Sequence, residues 1–159
     1  MRLRPRGQHW RGKGVETGRL TEADLPALAG LYKQFWGEDS RLEKMRATSR
    51  RLKDRPDYIF LAAKDDGRLV GSVLGIACEE PYGECVPFMV VADVIVDAEW
   101  RRKGNGSALM CELERLAEER HCGYVIFVTE VERTDARRFY ESLDYKPDAD
   151  REFKKRLAK

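Results

Sequence analysis

The sequence predicts an α/β (α+β) fold, a single domain with a mixed, mostly antiparallel central sheet flanked by helices. Three observations predict it. Apolar residues recur at helical spacing up to about Gly37, at strand spacing from Tyr58 to Val96, and at helical spacing again after Gly106. An Asp-Gly pair, Asp66-Gly67, joins two strand-like runs as a hairpin turn would. The length of 159 residues suits one domain and allows roughly two-thirds of the unfolded surface to be buried around one core.

Taken in order, a short strand end leads into Leu20-Thr21-Glu22-Ala23-Asp24-Leu25, a helix start. Thr21 or Asp24 can accept the first orphan N–H groups, and Leu20 can staple onto Leu25 across the cap. Leu25, Leu28, Leu31, Tyr32 and Phe35 then follow at helical spacing until Gly37 stops the run. A more polar helix covers Arg41 to Lys53, and Pro56 breaks it by pushing Arg55 out of the α region. "YIFLAAK" and "RLVGSVLGIACEE" form an antiparallel hairpin, and "CVPFMVVADVIVD" is apolar on both faces, as a central strand would be. A glycine turn at Gly104-Asn105-Gly106 opens the next helix, with Leu109, Leu113 and Leu116 as its buried stripe and Glu112, Arg115 and Glu119 in pairing positions. Gly123 is its expected C-terminal cap. "YVIFVTE" is a strand, "RTDARRFYESL" a helix and "REFKKRL" a terminal strand, which completes the order βααβββαβαβ.

Composition narrows the function classes. With 42% hydrophobic and 36% charged residues the chain is neither collagen-like nor compositionally disordered. Net charge is +2, but Arg2, Arg4, Arg6, Arg11 and Lys13 face no acid among the first fourteen residues, so the remaining body carries −3. That body is not a polyanion binder by bulk charge. Residues 1–14 read as a basic, disordered leader, since Pro5, Gly7, Gly12 and Gly14 deny it a helix, and residues 15–159 as the folded domain. No apolar signal core and no run of eighteen apolar residues occurs, so a soluble, cytoplasmic protein without membrane contact is expected. Cys78, Cys85, Cys111 and Cys122 show no C-x-x-C spacing, and only His9 and His121 could join them, so no metal and no disulfide framework is expected.

Two stretches look alike, "WRGKG" at Trp10 to Gly14 and "WRRKGNG" at Trp100 to Gly106. Only the second leaves an apolar strand and enters a helix. There, unpaired N–H groups and the positive end of the helix dipole converge, glycines let a ligand approach the backbone, and Arg101, Arg102 and Lys103 add charge. Such a place suits an anion, and two adjacent phosphates best. A dinucleotide fingerprint fits poorly because Leu109 stands where the third glycine belongs, and a Walker loop lacks its Gly-Lys-Ser/Thr.

Arg101-x-x-Gly104-x-Gly106, between the strand Asp93 to Asp97 and Ser107-Ala108-Leu109, resembles the signature of the GNAT superfamily of acyl-CoA-dependent N-acetyltransferases. The resemblance runs from about Val15 to Leu157 and includes "RLTEADLPAL", "GRLVG" and "ARRFYESLDY". It implies acetyl transfer from acetyl-CoA, as co-substrate, to a primary amine of a small molecule or peptide by direct attack in a ternary complex. The amides of Arg102, Lys103, Gly104, Asn105, Gly106 and Ser107, with Arg101, would hold the coenzyme diphosphate. Val94 and Val96 would lend main-chain groups to the pantetheine arm, and the N–H near Val94 would stabilise the oxyanion. Tyr140 matches the family tyrosine that protonates the leaving thiolate, which assigns neighbouring Phe139 to the core.

Departures from the family pattern leave alternatives open. The strand glutamate common in the family is replaced at the matching positions by Val90 and Ala92, and the nearby acid is Asp93. Asp93 reads either as general base or as a structural aspartate bonded to a neighbour. Arg133 stands where asparagine is frequent, and Asp144 where a helix-ending glycine is usual, a position aspartate tolerates. Glu38, Asp39, Glu79, Glu80 and Glu84 would favour a cationic acceptor if they line the amine entrance. A non-catalytic acyl-CoA-binding module is the alternative reading; nucleic acid held by the basic arm is disfavoured, and homodimerisation stays open.

Overall fold

The computed structural model describes residues 15–127 and 134–146. The expected leader at 1–14, the end of "YVIFVTE", Arg133 and the expected terminal strand at 151–157 lie outside the described residues. Two compact units divide the chain, Met1–Ile126 and Phe127–Lys159. The described elements are β1 (Val15–Arg19), α1 (Leu25–Trp36), α2 (Leu42–Leu52), β2 (Tyr58–Asp65), β3 (Arg68–Cys78), β4 (Phe88–Val96), α3 (Asn105–Glu119), β5 (Val125–Phe127) and α4 (Thr134–Ser142). The strands form one sheet in the order β1-β2-β3-β4-β5, with β1 to β4 paired antiparallel. This is the mostly antiparallel sheet with helices against it that the sequence predicts.

The local signals act as anticipated in most places. Asp66 (φ 47°) and Gly67 (φ 77°) both take the left-handed region, which makes the β2–β3 link a tight two-residue hairpin. Thr21 N–H and Oγ1 both donate to Asp24 Oδ2 at 2.8 Å ahead of α1, and Leu20 packs against the cluster that contains Leu25. Gly37, at φ 76°, donates its N–H to the Lys33 carbonyl and ends α1. Arg115 bridges Glu112 and Glu119 on the outer side of α3.

Two expectations about α3 need correction. Gly123 is not its cap. The left-handed residue is His121 (φ 57°), with Cys122 N–H bonded to the Ala117 carbonyl and His121 N–H to that of Glu118, a complete Schellman pattern without glycine. Gly123 is needed for space instead: a Cβ there would stand 2.9 Å from Val86 Cγ1, while its N–H bonds the Pro87 carbonyl. Leu116 is only half-buried, and the inward stripe is Ala108, Leu109, Met110, Leu113 and Ala117.

α1 buries Leu25, Leu28 and Leu31 with Ala62, Leu69 and Ile95, while α3 presses Leu109 and Leu113 onto Gly71 and Gly75 of β3. Both glycines are spacers. A Cβ on Gly75 would meet Leu113 Cδ1 at 2.5 Å and Met89 Sδ at 3.0 Å, atoms that are themselves fully enclosed. Gly75→Val should therefore destabilise the fold by about 1–3 kcal/mol, measured by denaturant titration, through overpacking against α3.

Asp24 is buried and its Oδ1 meets Lys64 Nζ at 2.6 Å. Burial opposes its ionisation, but the Lys64 ammonium and the N–H and hydroxyl of Thr21 outweigh burial and hold the carboxyl below its usual range. A carboxylate pKa lower in the folded than in the unfolded chain stabilises at neutral pH, and that stabilisation drains as pH falls through the folded value. Asp24→Asn should cost about 1–2 kcal/mol at pH 7 and should flatten the acid limb of the stability profile below about pH 4.

Candidate active site

β4 departs from regular pairing at one point. Leu74 faces Ala92 and Ser72 faces Ile95, so Asp93 and Val94 together oppose Val73 as a β-bulge. Asp93 sits there at φ 52°, a left-handed conformation that costs about 1 kcal/mol and that aspartate accepts more readily than most residues. The extra residue reverses which face the strand's alternate positions bury. Before it Met89 packs toward α3 beside Gly75; after it Ile95 packs with α1 and Val96 stands beside Gly71 and Leu109. The apolar run on both faces of "FMVVADVIV" is explained by this switch.

Asp93 is exposed, yet enough protein surrounds it that lost solvation pushes its carboxyl above the usual range. Among the described residues it has no hydrogen bond and no ion pair, so the alternative of a bonded structural aspartate finds no support there. Val94, in the bulge, is left out of the β3 ladder, whereas Val96 pairs with Gly71 and its carbonyl also accepts Arg101 Nε at 3.1 Å. Of the two valines proposed for main-chain contacts, Val94 is the less committed.

The segment from β4 to α3 is held from several sides. Asp97 is buried; its Oδ1 accepts the Glu99 N–H at 3.0 Å and its Oδ2 meets Arg68 at 3.3 Å. Gln34 of α1 accepts the Ala98 N–H at 2.9 Å. Asn105 Nδ2 donates to the Trp100 carbonyl at 2.7 Å from a side chain that is 2% exposed. Sequence reasoning missed Gln34 and Asp97, and it named Asn105 for its main-chain amide alone, without the role its side chain takes beneath the turn. Aspartate two residues before a glutamate N–H is a capping signal that could have marked Asp97; nothing in the sequence marks Gln34.

Gly104 opens α3 at φ 84°, and the first intrahelical bond runs from Ala108 N–H to the Gly104 carbonyl at 2.9 Å. The N–H groups of Asn105, Gly106 and Ser107 therefore lack intrahelical partners and point from the positive end of a fifteen-residue helix. Arg102 precedes them at φ 60°, and Lys103 lays its ammonium 4.5 Å from the centre of the Trp100 ring. Arg101 turns back to Val96, so it braces the turn from the strand side. A small anion with several oxygens fits this donor set through main-chain amides. Among the described residues, no group of three or more His, Cys, Asp or Glu could hold a metal ion, and no helix is long and apolar enough to cross a membrane.

Tyr140 belongs to the second unit. Its ring lies 4.1 Å from that of Phe127, 5.0 Å from Phe139 and 6.2 Å from Tyr145. Phe139 and Tyr140 are both half-buried, so burial alone does not divide them; Tyr140 is the ring at the centre of the cluster. Leu143 and Tyr145 N–H groups both bond the Tyr140 carbonyl, and Asp144, at φ 69°, closes α4 in the place of glycine.

A bulged antiparallel strand runs here into an amide-lined helix start, an arrangement suited to a phosphorylated ligand. The model of the acetyltransferase (GNAT) family matches residues 25–145. The chain belongs to that family and is an acyltransferase. No curated protein matches its sequence. Among solved structures, a protein of Agrobacterium tumefaciens strain C58 described as an acetyltransferase superposes with TM-score 0.83 at 19% identity, covering 89% of this chain and 99% of its own. A transcriptional regulator from Bacillus halodurans C-125 gives 0.82 at 22%, covering 90% and 99%. Glucosamine-6-phosphate N-acetyltransferase from Arabidopsis thaliana gives 0.78 at 18%, covering 89% and 97%. At these identities the likeness concerns the fold.

Proposed function

We propose that the chain transfers an acetyl group from acetyl-CoA to a primary amine by direct attack in a ternary complex, in the cytoplasm. The observation that carries the reading is the continuity of β4 and α3: the bulge at Asp93-Val94 and the amide cluster at Asn105 to Ser107 lie on one braced segment. A bound acetyl-CoA would supply the thioester and its diphosphate anchor. The amides at the start of α3 would hold the diphosphate, and the main chain at Val94 would hold and polarise the acyl end. The neutral amine attacks the thioester carbonyl, the carbon–sulfur bond breaks, and the thiolate takes a proton, for which Tyr140 is the proposed donor. Asp93, with its raised affinity for a proton and no partner among the described residues, is suited to accept the proton the amine gives up. A strand glutamate is therefore dispensable.

Calorimetry with acetyl-CoA, followed by thiol release across an amine panel, tests the reading. Gly104→Glu should weaken acetyl-CoA binding at least a hundredfold, because the side chain would enter the amide cluster with a negative charge at a φ that only glycine takes freely, while Gly12→Glu should leave binding unchanged. Binding without turnover on any amine would instead identify a non-catalytic acyl-CoA-binding module.

Tyr140→Phe keeps the ring cluster and removes only the hydroxyl. It should lower kcat about a hundredfold and spare acetyl-CoA affinity, as read from steady-state kinetics beside calorimetry. Unchanged kcat would return Tyr140 to a packing role.

A further inference from the structure

The end of α1 carries a pattern that the amide-lined turn does not use. Tyr32, Phe35 and Trp36 stand at positions i, i+3 and i+4, so their rings gather on one side of the helix's last turns. The Tyr32 and Trp36 rings lie 5.1 Å apart, and Phe35 meets Trp36 edge-on at 4.9 Å. Tyr32 and Phe35 lean against the core, whereas Trp36 is 51% exposed. An indole braced by two rings yet half open to water is a prepared contact surface, since its orientation is already fixed before anything binds.

α1 packs on β4, and Asp93 lies close enough to Tyr32 for its charge to bear on the phenol. Burial first, and then the charge of Asp93, push the Tyr32 phenol up to about 12, so its hydroxyl keeps its proton at any working pH. Asp24 and Asp97 each have cationic partners, at 2.6 and 3.3 Å; among the described residues Asp93 has none. A carboxylate whose charge reaches Tyr32, and an electron-rich indole in contact with that same ring, are two features that both attract a cation. Glu38 and Asp39 follow Gly37 directly; Lys33 engages Asp39 at 2.8 Å, which leaves Glu38 as the charge at this end of the helix that disfavours a free carboxylate.

We propose that Tyr32, Phe35, Trp36 and Asp93 form the acceptor subsite, and that the acceptor is a primary amine on an apolar or aromatic carbon frame, captured as its ammonium and attacking after that proton has left to solvent. An amino sugar would strip water from its hydroxyls against bare rings, and a free amino acid would bring its carboxylate toward that of Asp93. The inference rests on the acyl-transfer reading and names its substrate class.

Phenethylamine is the probe, titrated into the full chain with and without coenzyme A. It should change tryptophan fluorescence; Trp36→Phe should abolish the signal while calorimetry still detects binding. Trp36→Ala and Asp93→Asn should each weaken binding about tenfold. Glucosamine and phenylalanine should bind at least tenfold more weakly than phenethylamine, and the methyl ester of phenylalanine should recover most of the difference. Equal binding of glucosamine, undiminished binding by Trp36→Ala, or no binding of phenethylamine under either condition would overturn the subsite. Acetyl-CoA calorimetry on the same samples separates the two ideas: failure to bind acetyl-CoA sinks the transfer reading, whereas bound acetyl-CoA with no preference among amines sinks the subsite alone.

Discussion

One unpaired residue in β4 sets the terms for everything around it. An antiparallel ladder uses every main-chain group it can reach, so a strand in full register offers a ligand little. The bulge at Asp93-Val94 breaks the ladder in the middle of the sheet, at the cost of a left-handed aspartate, and sends the strand's alternate residues to opposite faces on either side of the break. Met89 can then serve the α3 side and Ile95 the α1 side of the same strand. The two helices are both firmly seated, and the main chain between them is left available. Strain of this kind persists because the packing at each end determines the strand's path more strongly than one unfavourable φ opposes it.

The helix start depends on that seating. Amides that converge on an anion help only if they are already oriented, since ordering a loop at the moment of binding would cost about 1–2 kcal/mol for each residue fixed. Here the order is in place beforehand. Asp97 caps the turn before Trp100, Gln34 reaches across from α1 to the Ala98 N–H, Arg101 returns to Val96, and Asn105 holds Trp100 from below. None of these side chains needs to touch a ligand to matter. Asn105 even leaves its Oδ1 buried without a partner among the described residues, which shows that tying down the Trp100 carbonyl takes precedence over satisfying every atom of the amide.

What was legible in the sequence follows the same line between local and distant causes. The Asp66-Gly67 hairpin, the stop at Gly37, the break at Pro56 and the glycine turn before α3 are written in residues whose preferences act within a few positions, and the structure has each of them. Gly123 misled because glycine after a helix usually serves φ, whereas this one serves the approach of Val86, some thirty-seven residues earlier in the chain. The bulge was invisible for a related reason: an apolar run on both faces describes a strand buried on both sides as well as one that changes sides midway. Gln34 was hidden because an amide on a helix surface looks like any solvated glutamine until α1 is laid against the end of β4. Phe139 and Tyr140 could not be sorted by adjacency, since a 100° step between neighbours on a helix is small enough for both rings to be half-covered.

The acidic residue on β4 shows how these levels meet. A family resemblance directs attention to Val90 and Ala92, where a carboxylate is missing, and taken alone that absence argues against proton transfer at the strand. The bulge changes the geometry that argument assumes. It turns the next residue, Asp93, out of the ladder and toward α1, where its charge is felt by Tyr32. A carboxylate in regular β pairing would follow the pleat and be buried or solvated with its neighbours; one in a left-handed bulge can be accessible and poorly solvated together, the combination that raises its proton affinity without removing it from reach. The same displacement leaves its charge within reach of Tyr32 on α1. Whether a strand can supply an acid to its neighbouring helix is thus decided by where its register slips, and a residue-by-residue match to a family motif does not record that.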